Sequence, residues 1–562
     1  MRREVSVVNK KVCSFPILFA LLALLIGTCA VVFPASAQAA PTSTGSITVS
    51  GTVARSYDAY QIFSANVVDG DSDAKTATDL AWASDAARDA ALPVLHSAGM
   101  PNSQTTAQEA AEWLNTDSHL TSALSAQLAR SLQSSGAESV ALSAGRAAEL
   151  PCGYWLIVVD DDAISQGEAG TAPIMALVGG SAVTVKPKAA TPKVQKHVLE
   201  DSSAVWQKAA DATVADDLYW RLSATVPAGL TAYDTYTVQF VDTMSAGLDL
   251  SKVAASMRVY VAAGADGGFD AVSTGRDGRA DTKPSKGWTD ITAQCATKVA
   301  SDGTFTVRTG DLIAALGGAD AFAAGARVVA VYNAPLAAGC NHGIAKGNPN
   351  EVYLRYPRSP LADQSGDAGF TRTPSDDATA YTWDLALTKR GSDGDKPLPG
   401  AVLGITDDRG RTLAANGTWD AEGKAAVTTG EDGRVTVSGV DSGKLEVREL
   451  KAPKGYTAFE GTRCVTVKAE GLDVDQVAVA KPKLTVTAES PLRADGADGS
   501  TGSLEASLIN TPTVTPPSIT TGGFMPSTGD MAMYAAAAAA VAGAALIVVA
   551  LLVKRGGGSH KE

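Results

Sequence analysis

Apolar and polar side chains alternate with a period of two along this chain, in short runs separated by Gly, Asp and Pro. Side chains on a strand point to opposite faces in turn, so such runs fold most readily as strands that bury one face. Many short runs with regular turn signals call for a second sheet to cover each buried face, so the expected fold is mainly β, built of tandem Ig-like β-sandwiches. Three regions carry the pattern. Residues 44–188 open with Ile47-Thr48-Val49 and Tyr57-Asp58-Ala59-Tyr60-Gln61-Ile62-Phe63, and strands return at Tyr154–Val159 and Ile174–Val185. Between them, from about Thr78 to Ser135, an Ala-rich stretch has helical spacing broken at Pro93 and Pro101. A helical insertion is therefore expected in the first region. Residues 190–360 and 382–510 read as sandwiches without one.

Against this pattern, six polar residues fall on apolar faces. In the third region Trp383, Leu385 and Leu387 define a face whose next member is Lys389. Leu445 and Val447 lead to Glu449, and Leu504, Ala506 and Leu508 lead to Asn510. In the second region Val194 and Val198 flank Lys196, and Tyr236, Val238 and Phe240 lead to Asp242. Asn350 shares a face with Val352, Leu354 and Tyr356; Asn348 has the same parity and is a rival for that place. Each region thus has a Lys on its first strand, an acid in the middle and an Asn on its last strand.

Charged side chains are seldom fully buried without a partner. One left unpaired would cost several kcal/mol, so the three groups of each region are expected to meet. Burial lowers the pKa of a Lys and raises that of a carboxyl. A neutral amine is a nucleophile, and a protonated carboxyl can polarise a carboxamide and shuttle protons. Attack of the Lys Nζ on the amide carbon, with loss of ammonia, would leave an isopeptide bond. Asp242 and Glu449 are the expected acids, and Lys196–Asn350 and Lys389–Asn510 the expected cross-links. Each would form once, as self-directed maturation without turnover.

A net charge of −13 offers no basic stripe for phosphates and argues against nucleic acid, while suiting a soluble external surface. G-x-S-x-G, H-E-x-x-H and G-x-x-x-x-G-K-[ST] are missing and the five His are scattered, so no enzyme and no cofactor is expected. Asp69, Asp71 and Asp73 echo a calcium loop without its Gly and closing Glu, so no metal is expected either. Cys13 and Cys29 fall in the N-terminal segment that reads as a secretory signal. Cys295 and Cys340 share a region and are expected to pair in an exported chain; Cys152 and Cys464 lie in different regions and stay unassigned.

Both ends carry targeting features. Arg2, Arg3, Lys10 and Lys11 precede the apolar run Phe15–Phe33 and the small residues Ala35-Ser36-Ala37-Gln38-Ala39-Ala40. This reads as a secretory signal over residues 1–39, cleaved within 37–40. At the other end a Thr- and Pro-rich spacer (511–524) leads to Met525-Pro526-Ser527-Thr528-Gly529. Met531–Val553 is then apolar and long enough to span a bilayer, and Lys554, Arg555 and Lys561 follow. This order resembles the cell-wall sorting signal, usually Leu-Pro-x-Thr-Gly; Met525 for Leu is a volume-conserving swap. The resemblance implies cleavage by a sortase between Thr528 and Gly529 and attachment through Thr528 to peptidoglycan.

Further motifs belong to one family. Glu449-Leu450-Lys451-Ala452-Pro453-Lys454-Gly455-Tyr456 resembles the E-box, E-x-x-A-P-x-G-Y, of sortase-assembled Gram-positive pilins. Pro397-Leu398-Pro399-Gly400-Ala401 resembles the opening of their CnaB-type domain, Asp242–Leu248 the acid-bearing strand of their middle domain, and Tyr57–Phe63 their N-terminal domain. Val185-Lys186-Pro187-Lys188 is similar to the pilin motif V-Y-P-K, with Lys186 in place of Tyr. The resemblance implies that Lys188 accepts the threonyl group of the next subunit, with Lys186 the alternative. It implies a shaft subunit of a covalently polymerised fimbria. The partners implied are identical subunits, pilus and housekeeping sortases, and peptidoglycan. The alternative is a minor or tip pilin, or a singly anchored adhesin whose partner is a host or bacterial surface receptor.

Overall fold

A computed structural model describes residues 43–513, apart from 52–54, 72–73, 117, 229, 265–286, 475–476 and 479–481. The expected signal peptide, the sorting signal with Met525–Gly529, and nearly all of the spacer lie outside those residues. Among the described residues no helix is long and apolar enough to cross a membrane. The chain is mainly β, in tandem sandwich units.

In the first unit the long strand Ser56–Asp69 pairs with Lys75–Trp82 on one side and Gly153–Val159 on the other, and Ile174–Val178 extends the sheet. One face is covered by a small sheet in which Thr44–Val49 lies between Ala147–Pro151 and Val183–Val185, burying Ile47, Val49 and Val185 against Tyr57, Ala59 and Ile157. Helices Asp85–Ser97, Ala107–Asn115 and Ser122–Ser135 cover the other face. Ser84, Thr106 and Thr121 cap them by accepting from backbone N–H groups, supplying partners that a helix start otherwise lacks.

Two local expectations need correcting. Pro93 does not break its helix; it sits inside Asp85–Ser97 with its ring exposed. The loss of one backbone bond is outweighed there by burial of Ala87, Ala90, Ala91 and Leu95 on the opposite face. Ile174–Val185 is two strands, not one. Gly179 (φ +132) turns the chain where an added Cβ would lie 2.6 Å from Val67 Cβ and 2.8 Å from Cys152 Sγ.

The second unit packs two sheets face to face. One has the order Val205–Gln207, Val194–Glu200, Tyr219–Thr225, Arg327–Asn333, Arg258–Ala262, Trp288–Asp290. The other is centred on Asn348–Pro357 and Gln239–Met244, which pair antiparallel. Trp220, Leu222, Val328 and Tyr332 meet Phe240, Phe305, Val352 and Leu354 between them.

In the third unit Trp383–Gly391 and Ser503–Pro512 are parallel neighbours, flanked by Arg434–Val440 and Leu492–Asp498. The facing sheet holds Val402–Thr406, Gly443–Lys451, Thr462–Glu470 and Lys483–Ala488. Trp383, Leu385, Leu387, Leu504 and Leu508 pack on Leu403, Val447 and Val465.

The units are docked through backbone as well as side chains. Gly170 N–H donates to Arg358 O (2.7 Å) and Tyr356 hydroxyl to Glu168 O (3.1 Å) across the first junction. Val214 N–H donates to Gly439 O (2.9 Å), Ile344 N–H to Gly499 O (3.0 Å) and Trp383 Nε1 to Asp211 Oδ2 (2.5 Å) across the second.

The expected Cys295–Cys340 disulfide is absent: both are free thiols, as are Cys152 and Cys464. Cys295 precedes Ala296, whose strand pairs through Arg308 to Gln239 at one end of the sheet. Cys340 lies beyond the other end, beside Gly247 and next to Asn341, which bonds Asn348. The intervening strand Gln239–Met244 spans roughly 16 Å at ~3.3 Å per residue, far beyond the reach of a disulfide, whose Cα atoms lie within about 7 Å. Burial pushes each of these two thiols up to about 11, so they rest as unreactive thiols.

Candidate functional site

The structure brings Lys196, Asp242 and Asn350 together inside the second sandwich. Lys196 comes from one sheet, Asp242 and Asn350 from the other. Asp242 stands opposite Val352 while Asn350 stands opposite Met244, so the acid and the amide are diagonal neighbours on one face. Lys196 Nζ is ion-paired to Asp242 Oδ2. It also donates to the Tyr332 hydroxyl at 3.0 Å. That hydroxyl donates to Asp242 Oδ2 (3.1 Å) and accepts from Asn350 Nδ2 (2.9 Å). All four side chains are fully buried.

Burial disfavours charge throughout the set. It lowers the Lys196 amine to about 8, against the attraction of Asp242. It raises the Asp242 carboxyl, against the attraction of Lys196. Asp242 Oδ1 and Asn350 Oδ1 are both buried without a hydrogen-bond partner. An orphaned buried polar atom is costly, and a proton on the carboxyl would supply the donor that an amide oxygen lacks. Asn348, the rival, is otherwise occupied: its Oδ1 accepts from Asn341 N–H (2.9 Å) and its Nδ2 donates to Asn341 O (2.8 Å) and Ala380 O (3.2 Å).

Lys389, Glu449 and Asn510 also meet, with a different division between sheets. Lys389 and Asn510 lie on the parallel neighbours and Glu449 on the facing sheet, paired with Leu403. Asn510 Nδ2 donates to both Glu449 oxygens, at 2.9 and 3.0 Å. Lys389 Nζ lies 3.6 Å from Glu449 Oε1 and donates to Leu508 O at 3.3 Å. Phe459 N–H donates to Glu449 Oε2 at 3.0 Å. Burial holds the Lys389 amine down at about 8, against the pull of Glu449. Asn510 Oδ1, like Asn350 Oδ1, is buried and unpartnered. After Glu449 the E-box-like stretch turns at Gly455 (φ +86) and crosses to the other sheet, where Tyr456–Thr457 pairs with Thr511 and Pro512.

A third Lys, carboxylate and Asn also touch: Lys252 Nζ and Asn333 Nδ2 both donate to Asp217 Oδ1, at 2.8 and 2.6 Å. Here Lys252 and Asp217 side chains are 44% and 41% exposed, and Asp217 is held below its ordinary pKa, its bonds to Lys252 and Asn333 outweighing partial burial. Solvent reaches both side chains, so this set lacks the burial that favours a neutral amine in the other two.

Lys188 is exposed just after the strand Val183–Val185, and its carbonyl accepts from Thr171 Oγ1 at 3.0 Å. Its side chain lines a groove at the first junction with Tyr233 and Pro360. Lys186, also exposed, borders a separate groove of about 480 Å³ floored by Phe63, Leu114, Tyr154 and Met175. Among the described residues no group of His, Cys, Asp and Glu is arranged to hold a metal ion.

Tyr332 is the site residue that sequence reasoning missed. It shares period-two parity with Val328 and Ala330 on a strand of seven residues, Arg327–Asn333, so in sequence it is an ordinary core aromatic.

Residues 384–481 match the family model SpaA, a prealbumin-like fold domain. The trypsin-resistant surface T6 protein of Streptococcus pyogenes serotype M6 is 31% identical over 129 residues, 22% of this chain and 22% of that protein; the match thus spans about a fifth of the relative's length. The solved T6 backbone pilin of serotype M6 S. pyogenes covers 84% of this chain and 98% of its own, at 16% identity and a TM-score of 0.45. The full-length major pilin SpaD of Corynebacterium diphtheriae covers the same shares at 16% identity and a TM-score of 0.40. Over residues 384–481 this chain is thus similar to the SpaA prealbumin-like fold domain, and the two solved chains it resembles are a backbone pilin and a major pilin.

Proposed function

We propose that this chain is the shaft subunit of a covalently polymerised pilus, stiffened by its own Lys196–Asn350 and Lys389–Asn510 isopeptide bonds. The observation that carries the reading is the pair of buried Lys, carboxyl and Asn sets. A depressed amine beside a carboxyl and an amide with an unpartnered oxygen is the ground state that amide exchange requires. In each set the amine lone pair would attack the Asn Cγ with the acid polarising the carboxamide, the proton shed by Nζ would pass to Nδ2, and ammonia would leave as the new secondary amide forms.

The mature chain would run from about Ala40 to Thr528. A sortase would cleave after Thr528 and transfer its carbonyl to Lys188 of the neighbouring subunit, and the last subunit to peptidoglycan. Exposure of Lys188 at a junction groove suits an acceptor that must meet both an enzyme and a second chain. Boiled wall extracts, separated by size and probed for this protein, are expected to show a high-mass ladder. Lys188→Ala is expected to abolish the ladder while the monomer is still exported and folded. A ladder that survives Lys188→Ala and vanishes with Lys186→Ala would move the acceptor by two residues. A single band from the unaltered chain would end the shaft reading.

A further inference from the structure

The two buried sets differ in how the carboxyl reaches the leaving nitrogen. In the third unit Glu449 touches Asn510 Nδ2 directly with both oxygens. Asp242 is one methylene shorter, and Asn350 Nδ2 instead donates to the Tyr332 hydroxyl, which in turn donates to Asp242. The same hydroxyl accepts from Lys196 Nζ. One donor bond and two acceptor bonds use the full capacity of a phenol oxygen. Phe305 packs edge-on against the ring, with centroids 4.8 Å apart, and fixes its plane.

We propose that the Tyr332 hydroxyl is the proton relay of the second set, passing to Asn350 Nδ2 the proton that Lys196 Nζ sheds. The proposal rests on the isopeptide reading above. The Nζ lone pair forms a bond to Asn350 Cγ, and the carbonyl π pair moves to Oδ1. In that adduct Nδ2 is no longer conjugated, recovers its own lone pair, and changes from hydrogen-bond donor to acceptor. Tyr332 gives its proton to Nδ2 and takes one from Nζ, which now carries one too many. The Cγ–Nδ2 bond then breaks, ammonia leaves with the bonding pair, and the Oδ1 pair restores the carbonyl. Tyr332 and Asp242 end as they began. Burial, reinforced by the Asp242 charge, holds the phenol far above its ordinary range, so it stays a neutral donor rather than a phenolate.

The test uses the full mature chain, synthesised in vitro so that bond formation can be timed by intact mass and by cross-linked peptides. In Tyr332→Phe, closure of Lys196–Asn350 is expected to slow about a hundredfold, the scale of a lost acid–base group, while Lys389–Asn510 closes at the unaltered rate. Adding Asp242→Glu to Tyr332→Phe restores the missing reach and is expected to recover most of the rate. A packing role for the tyrosine would give no such rescue. Closure at the unaltered rate in Tyr332→Phe overturns the relay, as does a slowed variant that Asp242→Glu fails to rescue. Failure of the unaltered chain to lose ammonia at Lys196 would instead overturn the isopeptide reading and the relay with it.

Discussion

Lys389 stands opposite Leu508 on a parallel neighbour, two residues short of Asn510. Two residues is one repeat of the pleat, so the amine and the amide emerge on the same face, and Glu449 meets them from the facing sheet. In the second unit the amine is the group that comes from the facing sheet. A bond in the third unit would therefore stitch two strands of one sheet, and a bond in the second would stitch sheet to sheet.

The first prediction is a mass. Each closure removes one ammonia, about 17 Da, so the mature chain is expected about 34 Da below the mass of its residues. Asp242→Ala and Glu449→Ala should each restore one ammonia. Lys252→Ala should change nothing beyond its own substitution, because the Lys252, Asp217 and Asn333 set is open to solvent. A third ammonia lost from that set would show that burial is not what selects reactive triads.

Mechanical extension is the second. A Lys389–Asn510 bond would close a loop of 121 residues, worth roughly 4–5 kcal/mol by the chain-entropy relation. Pulled from its ends, the closed third unit should yield almost no length between those residues. Glu449→Ala should unfold and release up to roughly 3.3–3.6 Å for each residue of the loop. Full extension of the unaltered unit would mean that no bridge had formed.

The third concerns pH. Closure needs a neutral amine and a protonated acid, so Lys196 and Asp242 must together hold one proton. Lys196 is depressed to about 8, and above that value the pair loses the shared proton and with it the acid. Below the raised Asp242 value a second proton charges the amine. The rate of closure is expected to be bell-shaped, with its upper limb near 8. A rate that climbs steadily from pH 8 to pH 10 would exclude Asp242 as the acid.

A fourth prediction lies at the second junction. Glu200 is buried and accepts from Asp211 N–H (3.2 Å) and Ser202 N–H (3.1 Å). Burial, then the charge of Asp211, raise its carboxyl to about 8. A carboxyl raised on folding favours the folded state when protonated, so that stability is full below the ordinary carboxylate range and drains away up to about pH 8. Melting temperature should fall across that window, and Glu200→Gln should flatten the fall. An unchanged profile would place the proton elsewhere in the cluster with Asp441, which burial and the charges of Asp211, Asp201 and Glu200 also raise.

Strand alternation made six of the site residues legible, because a Lys, acid or Asn on an apolar face breaks a pattern that its neighbours keep. Tyr332 broke no pattern, since its ring belongs in a core and only its hydroxyl is unusual. The cysteine pairing failed for a related reason. Membership of one sandwich says nothing about which end of it a residue occupies, and Cys295 and Cys340 sit at opposite ends. Pro93 departs from the local rule for proline because burial of the opposite helical face decides the outcome there.

The strand that bears Asn510 is also the one that closes the third sandwich. Ser503–Pro512 fills the slot between Trp383–Gly391 and Leu492–Asp498, so that sheet stays open until this strand is available. A chain exported from its N-terminus delivers them late, after every other strand of the unit. Covalent closure of Lys389 onto Asn510 would then act as a completeness check. A chain cut short before Asn510 would have no amide to offer, and its third unit would remain reversible and open to proteolysis, whereas a finished one would seal itself.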